Sequence, residues 1–142
     1  VGSEMCRRDW GSSAVAVEVI PPEKTTSYGV AAVDSENRMQ KIVEKPKPED
    51  APSNLGVVGR YLLTPAVFAK LETTQRGAGG EIQLTDGIAA LMEDEDVYVL
   101  PFDGVRYDCG DKLGYLTANI DYALERADLA DGLLKHLSTV RR

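Results

Sequence analysis

Along the chain the apolar positions change their period several times, and each change predicts an element. The run AVAVEVI from Ala14 to Ile20 is apolar at all positions but Glu18 and rich in valine, which predicts a strand covered on both faces and stopped by Pro21-Pro22. Tyr28 to Val33 predicts a second strand. DSEN at Asp34 to Asn37 is turn chemistry, and Met39 to Val43 alternates as the return strand of a hairpin ending at Pro46. KPKPEDAPSN, residues 45–54, is a proline-punctuated loop, and Leu55 to Leu63 predicts a further strand. Thr64 and Pro65 then predict an N-cap and a first helical proline, opening a short helix through Leu71. TQRGAGGE, residues 74–81, predicts a flexible loop. Glu81 to Met92 predicts a helix with Ile82, Ile88, Leu91 and Met92 near one face, and Val97 to Phe102 a strand followed by the tight loop Asp103-Gly104. After RYDCGD, residues 106–111, a long helical stretch aligns Leu113, Leu116, Ile120, Ala123 and Leu124, and a second helical piece runs through Leu137. Residues 1–12 carry no apolar period and predict an irregular arm with Trp10 available to dock on the body.

This order predicts an α/β fold with some antiparallel content, one compact domain over residues 13–142 and no internal repeat. Parallel strands need crossover helices, yet no helical segment precedes the first strand, so the sheet is expected to lack strands and the chain to be part of something larger. Composition narrows the function. The 142 residues carry 16 basic and 23 acidic side chains, a net charge of −7, which excludes a general nucleic-acid binder. An acidic chain must reach any phosphate ligand through one or two locally placed lysines. With 43% hydrophobic and 27% charged residues it reads as a folded rather than a disordered chain. No apolar run approaches the length of about 18 residues that would suggest a membrane span, and no tripartite signal-peptide start is present. A cytoplasmic location is the expectation. Cys6, Cys109 and His136 are too scattered for a zinc quartet or a disulfide framework. Cys109 is expected to be a small buried thiol rather than a nucleophile, because Asp108 and Asp111 nearby oppose thiolate formation.

Four stretches combine glycines and charges where strands should give way to loops, the usual ligand-binding end of an open α/β sheet. They are Tyr28-Gly29-Val30, Glu44-Lys45-Pro46, Gly80 to Asp86 (GEIQLTD) and Asp108 to Tyr115 (DCGDKLGY). Singly each has an ordinary structural explanation, as a solvated strand end or a turn. Jointly, with IVEKPKPEDAPSNLGVVGRYLL, GAGGEIQLTDGI and YDCGDKLGYLTANIDYAL, they resemble the bacterial-type UTP-glucose-1-phosphate uridylyltransferases of the sugar-nucleotidyltransferase family, from about Ser13 to Leu137.

The resemblance implies a Rossmann-like mixed sheet flanked by helices, incomplete at its N-terminal side. It implies UTP and glucose 1-phosphate as substrates, UDP-glucose and pyrophosphate as products, Mg2+ as the metal, and a homo-oligomer. By the same pattern Lys45 would hold the sugar phosphate, Glu44 would accept hydrogen bonds from sugar hydroxyls, Gly29 would let the backbone approach the ring, Val57 would add a main-chain contact, and Asp108 would ligate magnesium. Lys45 and Asp108 are expected to converge on one pocket. Asp111 is better read as an N-cap, Glu81, Gln83 and Asp86 as helix-start and network residues, and His136 as a surface residue near a helix end. Adjacent strand residues face opposite ways, so Glu44 and Lys45 can reach one ligand only where the strand ends, and Pro46 supplies an end. The family's glycine-rich nucleotide-gripping loop and its first magnesium aspartate are nowhere in the sequence. The chain is thus expected to be the C-terminal half, and by itself inactive for want of a grip on UTP. The alternative is a non-catalytic module that binds sugar phosphate or self-associates.

Overall fold

The computed structural model describes residues 11–77 and 80–140, so the first ten residues of the expected arm, with Cys6 and Trp10, and part of the loop at 74–81 lie outside the described residues. Five strands, β1 (Ser13–Val19), β2 (Gly29–Val33), β3 (Met39–Glu44), β4 (Leu55–Leu62) and β5 (Val97–Pro101), form one sheet in the order β3-β2-β4-β1-β5. The sheet is mixed. β1 runs parallel to β5 and antiparallel to β4, and β2 pairs antiparallel with both β3 and β4. A parallel pair needs a long crossover, which here holds the hairpin, β4 and two helices, α1 (Ala66–Thr73) and α2 (Leu84–Leu91). The α/β class with antiparallel content is as the sequence predicts.

The chain divides into two compact units, Val1–Asp103 and Gly104–Arg142. The first contains the sheet and its core, in which Val15, Val17, Ala31, Ile42, Val57, Val67, Ile88, Leu91, Val97 and Val99 pack together. β1 is buried on both faces at its start and opens at its end, where Val19 is 72% exposed. The hairpin turn forms as expected: the Asp34 carboxylate accepts from the Glu36 and Arg38 amides, and Asn37 takes the positive φ of 60° that such turns require. Its tip folds over to β5, where the Val99 amide donates to the Asn37 carbonyl. The second unit holds α3 (Lys112–Leu124) and α4 (Ala130–Thr139).

Several local expectations are corrected. A 3-10 helix, Pro22–Ser27, begins at the second residue of the double proline. There Pro22 stands at the helix start, where its missing N–H costs nothing. α2 begins at Leu84 because Gln83 is still extended, which leaves Ile82 outside the helix and exposed rather than on its apolar face. Thr64 does not cap α1. Pro65 occupies the cap position, and the Thr64 hydroxyl goes instead to the Glu95 carboxylate. On α3 the expected stripe is only partly covered: Leu113 and Leu116 are exposed, and Ala118 is the buried residue of the helix. Cys109 is exposed, since it lies in a loop rather than in the core.

The Thr64 side chain belongs to a polar tie that joins three distant segments of the first unit. Ser13, fully buried at the start of β1, donates to Glu95 at 2.6 Å and accepts the Thr64 amide at 3.0 Å. The trio joins β1, the exit of β4 and the turn before β5. Replacing Ser13 by Ala removes both bonds and strands the Thr64 amide, so Ser13→Ala is expected to cost about 1–3 kcal/mol, read as a lowered urea midpoint with unchanged slope. A cost near zero would show that water replaces the hydroxyl.

Candidate active site

β2 and β3 set the site by their register, which places Gly29 opposite Glu44 at the end of the hairpin. The absence of a side chain at Gly29 is filled by its neighbours. A Cβ there would lie 2.9 Å from the Thr85 methyl, 3.3 Å from Glu44 Oε2 and 3.6 Å from Val57 Cγ2. The glycine therefore seats Thr85 and Glu44 against the backbone. Thr85, buried in the first turn of α2, donates its hydroxyl to Glu44 Oε2 at 3.2 Å.

Lys45 solves the problem of facing. β3 ends at Glu44, and Lys45 adopts a left-handed backbone with φ of 46°, while its amide donates to the Tyr28 carbonyl at 2.9 Å. A non-glycine residue is uncommon there, and the turn swings the ammonium to the side of the preceding carboxylate, with Nζ 3.7 Å from Glu44 Oε1. Glu44 is thus held on one oxygen by Thr85 and faced by an ammonium on the other. Its side chain is 20% exposed and that of Lys45 59%, so the pair forms a rim that an outside ligand can reach. Tyr61 of β4 stands near enough to feel it: burial, and then the Glu44 charge, hold its phenol above the ordinary range.

The structure therefore brings together Gly29, Glu44, Lys45 and Val57, all expected from sequence. It adds Thr85 and Tyr61, which sequence reasoning missed. Thr85 lies inside the GEIQLTD stretch, where no local pattern pairs it with Glu44, 41 residues away. Gln83 holds the N-cap position without a side-chain cap, and Asp86 lies in the first turn.

Asp108 belongs to the second unit. It does not stand at a strand end: β5 stops at Pro101, and Asp108 lies in the exposed loop that leads into α3. Its Oδ1 accepts the Gly110 amide at 3.0 Å and its carbonyl accepts the Asp111 amide. Gly114 is required beneath it, because a Cβ there would fall 2.2 Å from the Asp108 carbonyl oxygen. Asp111 caps α3 as expected, accepting the Gly114 amide at 2.8 Å. Among the described residues no three His, Cys, Asp or Glu side chains group to hold a metal ion. Asp108 fits magnesium as a single hard oxygen donor, a role that suits an ion bound by one or two carboxylates with phosphates and water completing its shell. His136 is exposed in the last turn of α4, as expected.

These features carry a class. The family model for nucleotidyl transferases matches residues 4–125, and the chain belongs to that family. Within it, the chain is 45% identical over 131 residues to the UTP–glucose-1-phosphate uridylyltransferase of Streptococcus pneumoniae serotype 4, a match covering 89% of this chain and 44% of that relative. The uridylyltransferase of Staphylococcus haemolyticus matches at the same identity, with 46% of its length covered. Among solved structures, UDP-glucose pyrophosphorylase complexed with UDP-glucose superposes with a TM-score of 0.81 at 37% identity, covering 88% of this chain and 49% of that one. The UTP-bound UGPase from Acinetobacter baumannii gives 0.81 at 36% identity, covering 95% and 48%. The chain spans somewhat less than half the length of these relatives.

The loop before α3 is pinned at its other side by Tyr107, whose hydroxyl donates to Asp121 Oδ2 at 2.7 Å while its ring tilts against Tyr122. That hydrogen bond, with burial and the nearby carboxylate charge, pushes the Tyr107 phenol up to about 12 from an ordinary 10.0. Because the folded value is the higher one, the contact contributes fully below the ordinary value and is lost as pH rises from there through about 12. Ultraviolet titration should show a late-ionising tyrosine in the wild type whose ionisation moves to lower pH in Asp121→Asn, while the burial that also raises it persists. A titration unchanged by that substitution would remove the bond as the cause.

Proposed function

We propose that this chain supplies the sugar-phosphate-binding part of an enzyme that forms UDP-glucose and pyrophosphate from UTP and glucose 1-phosphate. The observation that carries the reading is the convergence of Gly29, Glu44, Val57 and Thr85 with the Lys45 ammonium at their rim. In this reading Glu44, steadied by Thr85, accepts hydrogen bonds from sugar hydroxyls, and Lys45 meets the phosphate. Two anions must then approach. A phosphate oxygen of glucose 1-phosphate forms a bond to the α-phosphorus of UTP while the bond to the bridging oxygen breaks and pyrophosphate leaves. Repulsion between unit charges 4 Å apart is about 4 kcal/mol at an effective dielectric near 20, and a single ammonium offsets a sum of that order. The attacking oxygen is already ionised near neutrality, so a catalytic histidine is not needed. Asp108 would contribute one ligand to Mg2+, which when bound supplies charge stabilisation for the phosphates.

On this reading the grip on UTP comes from residues other than those of this chain, and the chain alone binds glucose 1-phosphate without turnover. Calorimetric titration tests it. Lys45→Ala should weaken glucose 1-phosphate binding by about 1.5–3 kcal/mol, the range of a hydrogen bond to a charged group, and leave binding of uncharged glucose unchanged. Equal losses for both ligands would take the phosphate away from Lys45. Asp108 is tested in the chain restored to turnover by the remaining part of a relative: Asp108→Asn should raise the magnesium concentration needed for half-maximal rate. An unaltered magnesium dependence would remove Asp108 from the ion.

A further inference from the structure

Asp-Gly occurs three times in the chain, at Asp86-Gly87, Asp103-Gly104 and Asp131-Gly132, and the fold treats the three pairs differently. A glycine leaves its own amide without a side chain to shield it and lets the backbone adopt conformations that other residues avoid. An Asp-Gly pair is therefore where a carboxyl group is most open to attack by the main chain. The attack requires a backbone that can bring the Gly nitrogen onto the Asp Cγ. A helix forbids that approach, because its dihedral angles are fixed and its amides point along the axis.

Asp86-Gly87 sits in α2, where the Gly87 amide donates to the Gln83 carbonyl at 3.3 Å and the glycine is so tightly buried that a Cβ would fall 2.4 Å from Leu71 Cδ2. Asp131-Gly132 sits in the first turn of α4. That pair is exposed, with open space around Gly132, yet the bond from the Leu133 amide to the Leu129 carbonyl at 2.9 Å closes a helical turn over it. Asp103-Gly104 has neither restraint. Residues 102–108 lie outside every strand and helix, both members of the pair are exposed, and Gly104 has a φ of 158°, remote from the helical value. The Phe102 amide, just before it, still donates to the Val17 carbonyl at 2.7 Å. Among the described residues, no hydrogen bond or ion pair holds the Asp103 carboxylate or the Gly104 amide.

We propose that Asp103-Gly104 is a site of spontaneous aspartate isomerisation, the one Asp-Gly pair of the three that the fold leaves free to cyclise. The Gly104 nitrogen forms a bond to Asp103 Cγ, and a water molecule leaves, made of the carboxyl hydroxyl and the amide hydrogen. The resulting succinimide then takes up water at one of its two carbonyls. Opening at Cγ restores aspartate. Opening at the main-chain carbonyl leaves an isoaspartyl linkage, with the backbone lengthened by one methylene and a free α-carboxylate. Mass is unchanged, and water is the sole co-reactant. The altered linkage falls where the first compact unit ends and the second begins, five residues before Asp108. This chemistry is independent of the ligand reading.

The test incubates the full 142-residue chain in water enriched in heavy oxygen, folded in buffer and, in parallel, unfolded in urea. Peptide mapping with electron-transfer fragmentation, which distinguishes isoaspartate from aspartate, then reads each pair. In the folded chain Asp103 should gain heavy oxygen and isoaspartate faster than Asp131 by about tenfold or more, since the helical pair reacts only after local opening, and should outpace the buried pair at Asp86 by a wider margin. In urea the three rates should converge. Asp103→Glu, which would have to close a larger and less favourable ring, should abolish the signal at that position and leave the other two unchanged. A folded chain in which Asp103 reacts no faster than the helical pairs overturns the proposal. So does a ratio of the three rates that is the same folded and unfolded, because the fold would then play no part in the selection.

Discussion

The Thr85 hydroxyl meets the Glu44 carboxylate beside the Cα of Gly29, where a side chain would otherwise stand, and the rest of the site depends on that contact. Three segments distant in sequence must come together for it: the start of β2, the end of β3 and the first turn of α2. A largely buried carboxylate is costly unless hydrogen-bonded, and Thr85 supplies one bond from inside the fold. The other oxygen lies 3.7 Å from the Lys45 ammonium, at a rim where the Lys45 side chain is exposed. Hydroxyl donors arriving from solvent can complete the shell there without displacing any protein partner.

Lys45 shows what is stored at that rim. A left-handed conformation at a non-glycine residue costs of order 1–3 kcal/mol, and here it is taken immediately before a proline. The ion pair it creates does little to offset this, because an exposed pair contributes about 0–1 kcal/mol and the Lys45 side chain is 59% exposed. The amide bond to Tyr28 helps fix the turn. What the turn accomplishes is placement: it ends β3 and presents carboxylate and ammonium on one side, which the alternation of a continued strand would forbid. An observed backbone outlier whose local contacts do not account for its cost is a reasonable mark of a site.

Much of this was readable from residue types, and the failures share a cause. The strands follow from valine-rich runs stopped by proline and Asx turns, whereas Gly29, Glu44, Lys45 and Val57 are expected from the family resemblance of the motifs that contain them. Thr85 escaped because its partner is 41 residues away, and nothing local distinguishes a threonine in a first turn from any other. Thr64 was misassigned for the complementary reason. Its hydroxyl could serve a cap or a distant carboxylate, and Glu95 won. Ile82 satisfied a helical period but precedes the point where the backbone turns helical. Cys109 reads as a buried type, yet it sits in a loop whose backbone is held open by Asp108 and Asp111. Local pattern predicts which faces are apolar; it does not say which long-range partner claims a hydroxyl.

The charge balance sharpens the choice of ligand. A chain of net charge −7 repels anions at a distance, but at physiological ionic strength that field is screened within about 8 Å. Inside that range the nearest group is decisive, and at this rim it is not a lone cation. Glu44 lies 3.7 Å from the Lys45 ammonium, so the two nearly cancel when seen by a bare phosphate. Their difference is felt only by a molecule that spans them, offering hydroxyl donors to one end and an anionic oxygen to the other. A sugar carrying a phosphate has that form, whereas inorganic phosphate has only the second part. On the proposed reading, the pairing of opposite charges that weakens attraction for simple anions is what would give the site a preference for such a molecule.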